Sequence, residues 1–504
     1  VSEAGQSWAG SRLAADLISS AQAQRVREAA LTLLERDGVF VPGQSAQALF
    51  AQAGAKLDSA RGVAYLSPSL IERTLASLPD RVVLGARSAA DEVTLDGVKC
   101  RLATGGPAHE VRELDGQRRA ATAGDLAAAC RLADALPEIA LISGPPLPAL
   151  DLPERGRALA ELEICLTNSS KHVQLHTVRT VGEARALIAI GEALAGSPEA
   201  MRARPPLSLA APAAHELDEV RLDALLTAAA AGLPVSFSLA VNGESGVLSA
   251  DAGLSPLERA LAENQARALA AAALVQLAAP GAPFVALLPL QPLPETALHL
   301  SGESGRGGQS DAEVQARPAA TLDGYPLALA YNQLKGAWAL PLMGRGSWSA
   351  AVVSGWEASV ASSVATLAAS LGGVDLLAGA GLLEGGTVFS PQQLVLDCES
   401  QAVSARIAQG IEVSEETIAL ETIEAVGIGG NALGQRHTRT HMRDVWRPRL
   451  FDRSAYEAWL REGKAGSEDK ATELAAHLLT THEVPPLEAE KTATVRRIIA
   501  TAGL

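Results

Sequence analysis

The side chains best equipped for chemistry sit among glycines and tryptophans in the last third of this chain, and none completes a standard catalytic motif. His437 and His441, in HTRTH, have the i,i+4 spacing of zinc ligands on a helix. The glutamate that a zinc hydrolase needs beside the first histidine is missing. His437 is therefore read as a site-facing or capping side chain, and no metal is expected. Glu384 lies in GAGLLEGG (Gly379–Gly386), placed to stabilise a cation or merely to orient its turn. That stretch resembles a dinucleotide loop only superficially, because its glycine spacing is wrong and no acidic residue follows at the expected strand end. GIGGNALG has glycines but no strong strand before it. His172 and His176 fall on one strand and share its face, as core residues or as pocket residues. Neither Gly-x-x-x-x-Gly-Lys-Ser/Thr nor Gly-x-Ser-x-Gly occurs, which argues against NTPase and serine-hydrolase chemistry.

Aromatic residues make up only 3% of the chain, yet Trp338, Trp348 and Trp356 fall in one short stretch. Aromatic faces attract cations; the plainer reading is packing between elements. Arg345 could hold a carboxylate through a bidentate pair or form an ion pair with Glu384.

These residues depend on the stretch Leu340–Asp397, which reads twice as strand, glycine-rich turn and helix. Pro341–Gly344 and Val374–Ala378 are the strands, and Gly344, Gly346, Gly379 and Gly381 form the corners. In β/α chains such corners, at the C-terminal ends of strands, are where ligands bind. Upstream the unit repeats. Helical runs at Ala123–Leu136, Gly156–Leu166, Val181–Leu194, Asp218–Ala231, Leu257–Leu277, Tyr325–Ala337 and Glu357–Leu371 each precede a short apolar strand. With a strand near Arg101–Gly105, about eight strands alternate with helices. This predicts a (β/α)₈ TIM barrel over residues 101–397 in preference to a doubly wound open sheet.

Residues 1–100 read as an N-terminal α+β extension. Helices are expected at Ala21–Arg36, Ser45–Ala53 and Ser67–Leu78, and strands at Arg81–Arg87, Glu92–Leu95 and Val98–Thr104, the last two joined at Asp96-Gly97. A second hairpin, Val111–Leu114 with Gln117–Ala120, turns at Asp115-Gly116. The polar run Ser301–Pro318 interrupts the rhythm as a lid or binding loop. Residues 398–504 form a C-terminal helical cap, expected to pack onto the barrel or a neighbouring subunit.

The formal charge of −15 argues against a nucleic-acid-tracking surface. Cys100, Cys130, Cys165 and Cys398 are too dispersed for a disulfide framework or a zinc knuckle. Ala268–Leu290 is apolar enough to mimic a membrane span, but Pro280, Gly281 and Pro283 divide it. With no signal-peptide pattern, a cytoplasmic protein without membrane contact is expected.

ATGGPAHEV (Ala103–Val111), TNSSKHVQ (Thr167–Gln174), GLLEGGTVFSPQQLVLD (Gly381–Asp397) and GNALGQRHT (Gly430–Thr438) resemble the trimethylamine/betaine methyltransferase family. Their order and spacing fit from about residue 20 to 460, and the Gly381–Asp397 stretch is the most specific. The resemblance implies a (β/α)₈ barrel that moves a methyl group from a methylated amine to the cobalt of a corrinoid. The corrinoid (cobalamin) is carried by a separate protein, and this chain has no Asp-x-His-x-x-Gly ligation motif of its own. The trimethylamine branch uses pyrrolysine, and none is written here, so the resemblance points to quaternary amines such as glycine betaine. Where the family carries an acidic-rich run after strand seven, this chain reads GSWSAAVVSGWE, with Ser349, Ala351, Ser354 and Trp356 in the corresponding places. On this resemblance Glu384 and His437 are the candidate catalytic residues. Trp348, Trp356, Arg345, Ser349, Asn242, His176, Gln174, Gly105 and Gly381 are the candidate substrate contacts. A divergent barrel that only binds a methylated amine, and methyl transfer involving a pterin, are the alternatives. A homo-oligomer is compatible with either.

Overall fold

Several helices in this chain begin where a side-chain oxygen can close the first turn. Thr122 and Asp125 cap Ala123–Ala135 reciprocally, and Thr180 and Glu183 do the same for Val181–Ala195. Asp218 caps Glu219–Ala231, which ends at the left-handed Gly232. A computed structural model describes residues 17–211, 217–241, 256–289, 329–330, 334, 340–345, 349–442, 444–463 and 465–502. The expected helix Tyr325–Ala337 lies almost wholly outside these residues, and the loop Ser301–Pro318 wholly so.

Between the capped helices lie eight strands: β1 (Arg101–Thr104), β2 (Ile139–Gly144), β3 (His172–Leu175), β4 (Leu207–Ala211), β5 (Val235–Phe237), β6 (Ala286–Pro289), β7 (Leu342–Arg345) and β8 (Leu376–Ala380). Every pairing is parallel and joins neighbours in sequence, and β8 returns to β1. Between β5 and β6 a single bridge, Val235 to Phe284, completes the circle, with Val285 N–H donating to Val235 O at 3.0 Å. The fold is a nearly closed parallel barrel, as the alternation predicted.

Both faces of a parallel strand are buried, so its residues divide between two cores. Leu102, Val173, Leu209 and Leu377 face the helices, while Ala103, Leu287, Met343 and Leu376 fill the barrel. An antiparallel hairpin, Val82–Leu84 with Val93–Leu95, packs into that inner core and forms its floor. This differs from the expected pairing of Glu92–Leu95 with Val98–Thr104. The alternating Val82, Leu84, Val93 and Leu95 gain burial that a local turn cannot match. The turn glycine is used instead as an anchor, Gly97 N–H donating to the Asp375 carboxylate.

At the other end, Glu110–Arg112 and Arg118–Ala120 form the expected hairpin. It joins Leu382–Leu383 and Val388–Phe389 in a four-stranded sheet over the β1–β8 seam. The N-terminal helices Ser20–Arg36, Gln44–Gln52 and Pro68–Leu75 cover the alanine-rich helix Pro256–Ala278. Among the described residues no helix is long and apolar enough to cross a membrane. After β8, Pro391–Ala408 lies against Trp356–Leu371, and Ser467–Thr481 straps across Pro391–Ala408 and Ala123–Ala135.

Candidate active site at the barrel mouth

The C-terminal ends of β1, β2 and β3 carry a connected polar wall. Thr104 Oγ1 donates to Ser143 O at 3.0 Å and accepts from Ser143 N–H at 2.8 Å. Ser143 Oγ donates to Gln174 Oε1 at 3.0 Å and lies 3.2 Å from His176 Nε2, which in turn lies 3.2 Å from Gln174 Oε1. Thr104, Ser143 and Gln174 are buried, and His176 is half-buried. Arg221, at the start of Glu219–Ala231, donates to His176 O at 2.6 Å and fixes the backbone there. His172 behaves differently from its strand neighbour. Deep in the barrel, its Nδ1 meets Gly85 O at 3.0 Å and its Nε2 meets Ser208 Oγ at 2.8 Å. Burial pushes its pKa down to about 4, so it is a neutral core residue.

Glycine corners complete the rim. Gly105, directly after β1, lies so close to Gly379 that an added Cβ would strike the Gly379 Cα. Gly381, after β8, has φ +85, and a Cβ there would stand 2.7 Å from the Phe389 ring. The Gly381 N–H donates to Asp397 Oδ2 at 2.8 Å, and Gln393 donates to Asp397 Oδ1 at 2.8 Å. Burial pushes the Asp397 carboxyl up to about 7 against these hydrogen bonds.

Glu384 occupies the turn between Leu382–Leu383 and Val388–Phe389. Its side chain is enclosed, its backbone has φ 51, and Arg118 Nη1 donates to its Oε1 at 2.6 Å. Arg118 also pairs with Glu110. Ser349 is buried beside this turn: its N–H donates to Leu382 O at 3.2 Å and its carbonyl accepts from Gly385 N–H at 2.9 Å.

The predicted site residues therefore separate into groups. Gln174, His176, Gly105, Gly381, Glu384 and Ser349 lie around the mouth, and Arg345 ends β7 at the same end of the barrel. Trp356 opens the helix after β7 and is 84% exposed. Trp348, Asn242 and the side chain of Arg345 lie outside the described residues. His437 stands on the tail helix Arg436–His441, where its ring packs on His441 at 4.3 Å and its Nε2 meets Glu416 O at 2.9 Å. The contacts described for it are all within the tail. Thr104, Ser143, Arg118, Arg221 and Asp397 were not singled out from sequence. Ser143, at a strand end just before Gly144-Pro145, carried the clearest signal.

The family model described as Trimethylamine methyltransferase (MTTB) matches residues 6–288 and 316–502. The chain belongs to this family. Relatives within it include a trimethylamine methyltransferase MttB of Desulfitobacterium hafniense (strain DSM 10664 / DCB-2), 26% identical over 478 residues, 94% of this chain and 91% of the relative. A glycine betaine methyltransferase of Desulfitobacterium hafniense (strain Y51) is 27% identical over 496 residues, 97% of each chain. The crystal structure of the Methanosarcina barkeri monomethylamine methyltransferase (MtmB) superposes with a TM-score of 0.44 at 13% identity, over 99% of this chain and 96% of that one.

Proposed function

We propose that this chain transfers a methyl group from a quaternary amine of the glycine betaine kind to a corrinoid held by a separate protein. The observation that carries the reading is the polar wall Thr104–Ser143–Gln174–His176, set at the C-terminal ends of the first three strands in a barrel of this methyltransferase family. The choice of donor rests on the sequence, which contains no pyrrolysine, the residue that the resemblance assigns to the trimethylamine branch.

A quaternary ammonium has no lone pair, and loss of one methyl releases a neutral amine. The reduced cobalt of a corrinoid supplies the electron pair that takes up the methyl carbon. The protein's task is to hold the donor in line and to balance its charge. In this reading Trp348 and Trp356 offer aromatic faces to the ammonium, and Arg345 takes the carboxylate; His437, whose described contacts all lie within the tail, is not assigned to it. Gln174, His176, Asn242 and Ser349 shape the polar side of the pocket. Glu384, held by Arg118, sets the turn and contributes negative charge near the rim. Gly105 and Gly381 let the rim's own backbone and side chains pack closely there, which fixes the shape of the mouth. On this reading the chain carries no cofactor of its own.

The test is a methyl-transfer assay with a reduced corrinoid protein and either glycine betaine or trimethylamine. The expected result is dimethylglycine formation, matched in amount by the spectral change of the corrinoid. Turnover of trimethylamine alone would overturn the donor assignment. Betaine binding without any transfer would make the protein a binder.

A further inference from the structure

Ser143 has one hydroxyl proton, and its surroundings fix where that proton goes. Thr104 Oγ1 grips the Ser143 backbone twice, donating to Ser143 O at 3.0 Å and accepting from Ser143 N–H at 2.8 Å. The serine side chain is fully buried and stands opposite Gln174 in the β2–β3 register. Its Oγ donates to Gln174 Oε1 at 3.0 Å, so the hydroxyl proton is committed there. His176 Nε2 lies 3.2 Å from this Oγ and 3.2 Å from the same Gln174 Oε1. Towards the ring, Oγ can then only accept, and a carboxamide oxygen can only ever accept. Two acceptors therefore face Nε2, and Nε2 must carry a proton. In the neutral ring the lone pair then sits on Nδ1. The backbone keeps the ring in place: His176 N–H donates to Gly144 O at 2.7 Å, and Arg221 donates to His176 O at 2.6 Å.

We infer that Ser143 is a positioning residue of this site: its donated proton keeps the Gln174 carboxamide oxygen turned to the ring, and that oxygen keeps the His176 proton on Nε2. A carboxamide can present either of its ends. Without the serine hydroxyl it could turn round, offer an N–H to Nε2 and send the ring to the Nδ1–H tautomer. Ser143 also decides what the wall presents. With its oxygen engaged by two donors, Gln174 has its two amide N–H groups left for a ligand, and Gln174 Nε2 donates to no atom among the described residues. Such donors suit the carboxylate of a betaine and find no acceptor on protonated trimethylamine. That use rests on the reaction proposed above; the position of the proton does not.

Solid-state nitrogen spectra of the full chain labelled with 15N-histidine test the proposal without any substrate. The chain has nine histidines, and the His176 signals are those missing from His176→Asn. Recorded where the ring is neutral, the wild type should show His176 protonated at Nε2 alone. Ser143→Ala should lose that single state and give a mixture of the two tautomers. Ser143→Ala/Gln174→Glu should restore it, because a carboxylate has no end that donates. A merely structural serine would move the melting temperature and leave the ring proton where it is. Ser143→Cys, with a weaker donor in place, gives the same reading if Ser143→Ala does not fold. A wild-type ring protonated at Nδ1 overturns the proposal. So does a Ser143→Ala ring that stays wholly Nε2–H, or a double variant that stays mixed. A chain with the expected tautomers that transfers no methyl would defeat the reaction and leave the role of Ser143 standing.

Discussion

Arg118 and Glu384 meet at 2.6 Å although 266 positions separate them in the chain. Arg118 comes from the hairpin after β1 and Glu384 from the turn after β8, so their contact stitches the barrel's closing seam above the mouth. Glu384 combines an enclosed carboxylate with φ 51, a backbone region that a residue with a Cβ enters only at some cost. Its turn is held in place by partners rather than by local preference.

Removing Arg118 should therefore unsettle that turn. Arg118→Ala is expected to lower unfolding free energy by about 1–3 kcal/mol, since Glu384 keeps its buried charge and loses its cation. The guanidinium is partly exposed, which places the effect below that of a fully buried pair. Adding Glu384→Gln should restore part of the loss in urea unfolding. If the double variant is no better than the single one, the carboxylate is not what Arg118 serves.

Asp397 predicts a pH dependence of definite sign. Its folded pKa is raised by burial from 3.8 to about 7, so the folded state binds the proton more tightly than the unfolded one. Its contribution to stability is full below about 4 and is lost as pH rises through about 7, at no more than about 1.4 kcal/mol per pH unit. Asp397→Asn should flatten the stability profile across that window. An unchanged difference between wild type and variant from pH 4 to 7 would remove Asp397 as the titrating group.

Gly105→Ala should cost about 1–3 kcal/mol in chemical unfolding, because the new methyl meets the Gly379 backbone, which cannot rotate away. Gly434→Ala serves as a control: like Gly105 it lies outside the left-handed region, but nothing stands within 4 Å of its Cβ position. Equal costs at both sites would mean that the corner contact is not what Gly105 avoids.

Trp356→Ala separates binding from packing. With the side chain 84% exposed, its loss should leave the melting curve nearly unchanged. If it forms one face of a cation cage, betaine affinity should fall by about 0.5–2 kcal/mol, several-fold to roughly thirty-fold. Early unfolding with intact affinity in the folded fraction would end the cage assignment.

The barrel was legible because its signals are local and periodic: helical runs such as Ala123–Leu136 and Val181–Leu194 are each followed by a short apolar strand. The error at Asp96-Gly97 has the opposite cause. Turn chemistry pointed to the nearest strand, whereas burial of Val82 and Leu84 in the barrel floor decided the pairing. Strand alternation put His172 and His176 on one face, but only their depth in the barrel separates a neutral core residue from a rim residue. Glu384 was visible as a carboxylate among glycines. Arg118, its partner, carried no motif at all, because pairs that distant leave no mark in local sequence.

The hairpin Val82–Leu84 with Val93–Leu95 gives the barrel a floor, which closes that end to traffic. In the proposed reaction, donor, product and acceptor would then all use the opposite end. A protein-borne acceptor pressed against that opening would lock in whatever small molecule had already entered and bar any that had not. Traffic through this barrel would be ordered, the amine arriving before the acceptor docks and its demethylated product leaving only after the acceptor withdraws.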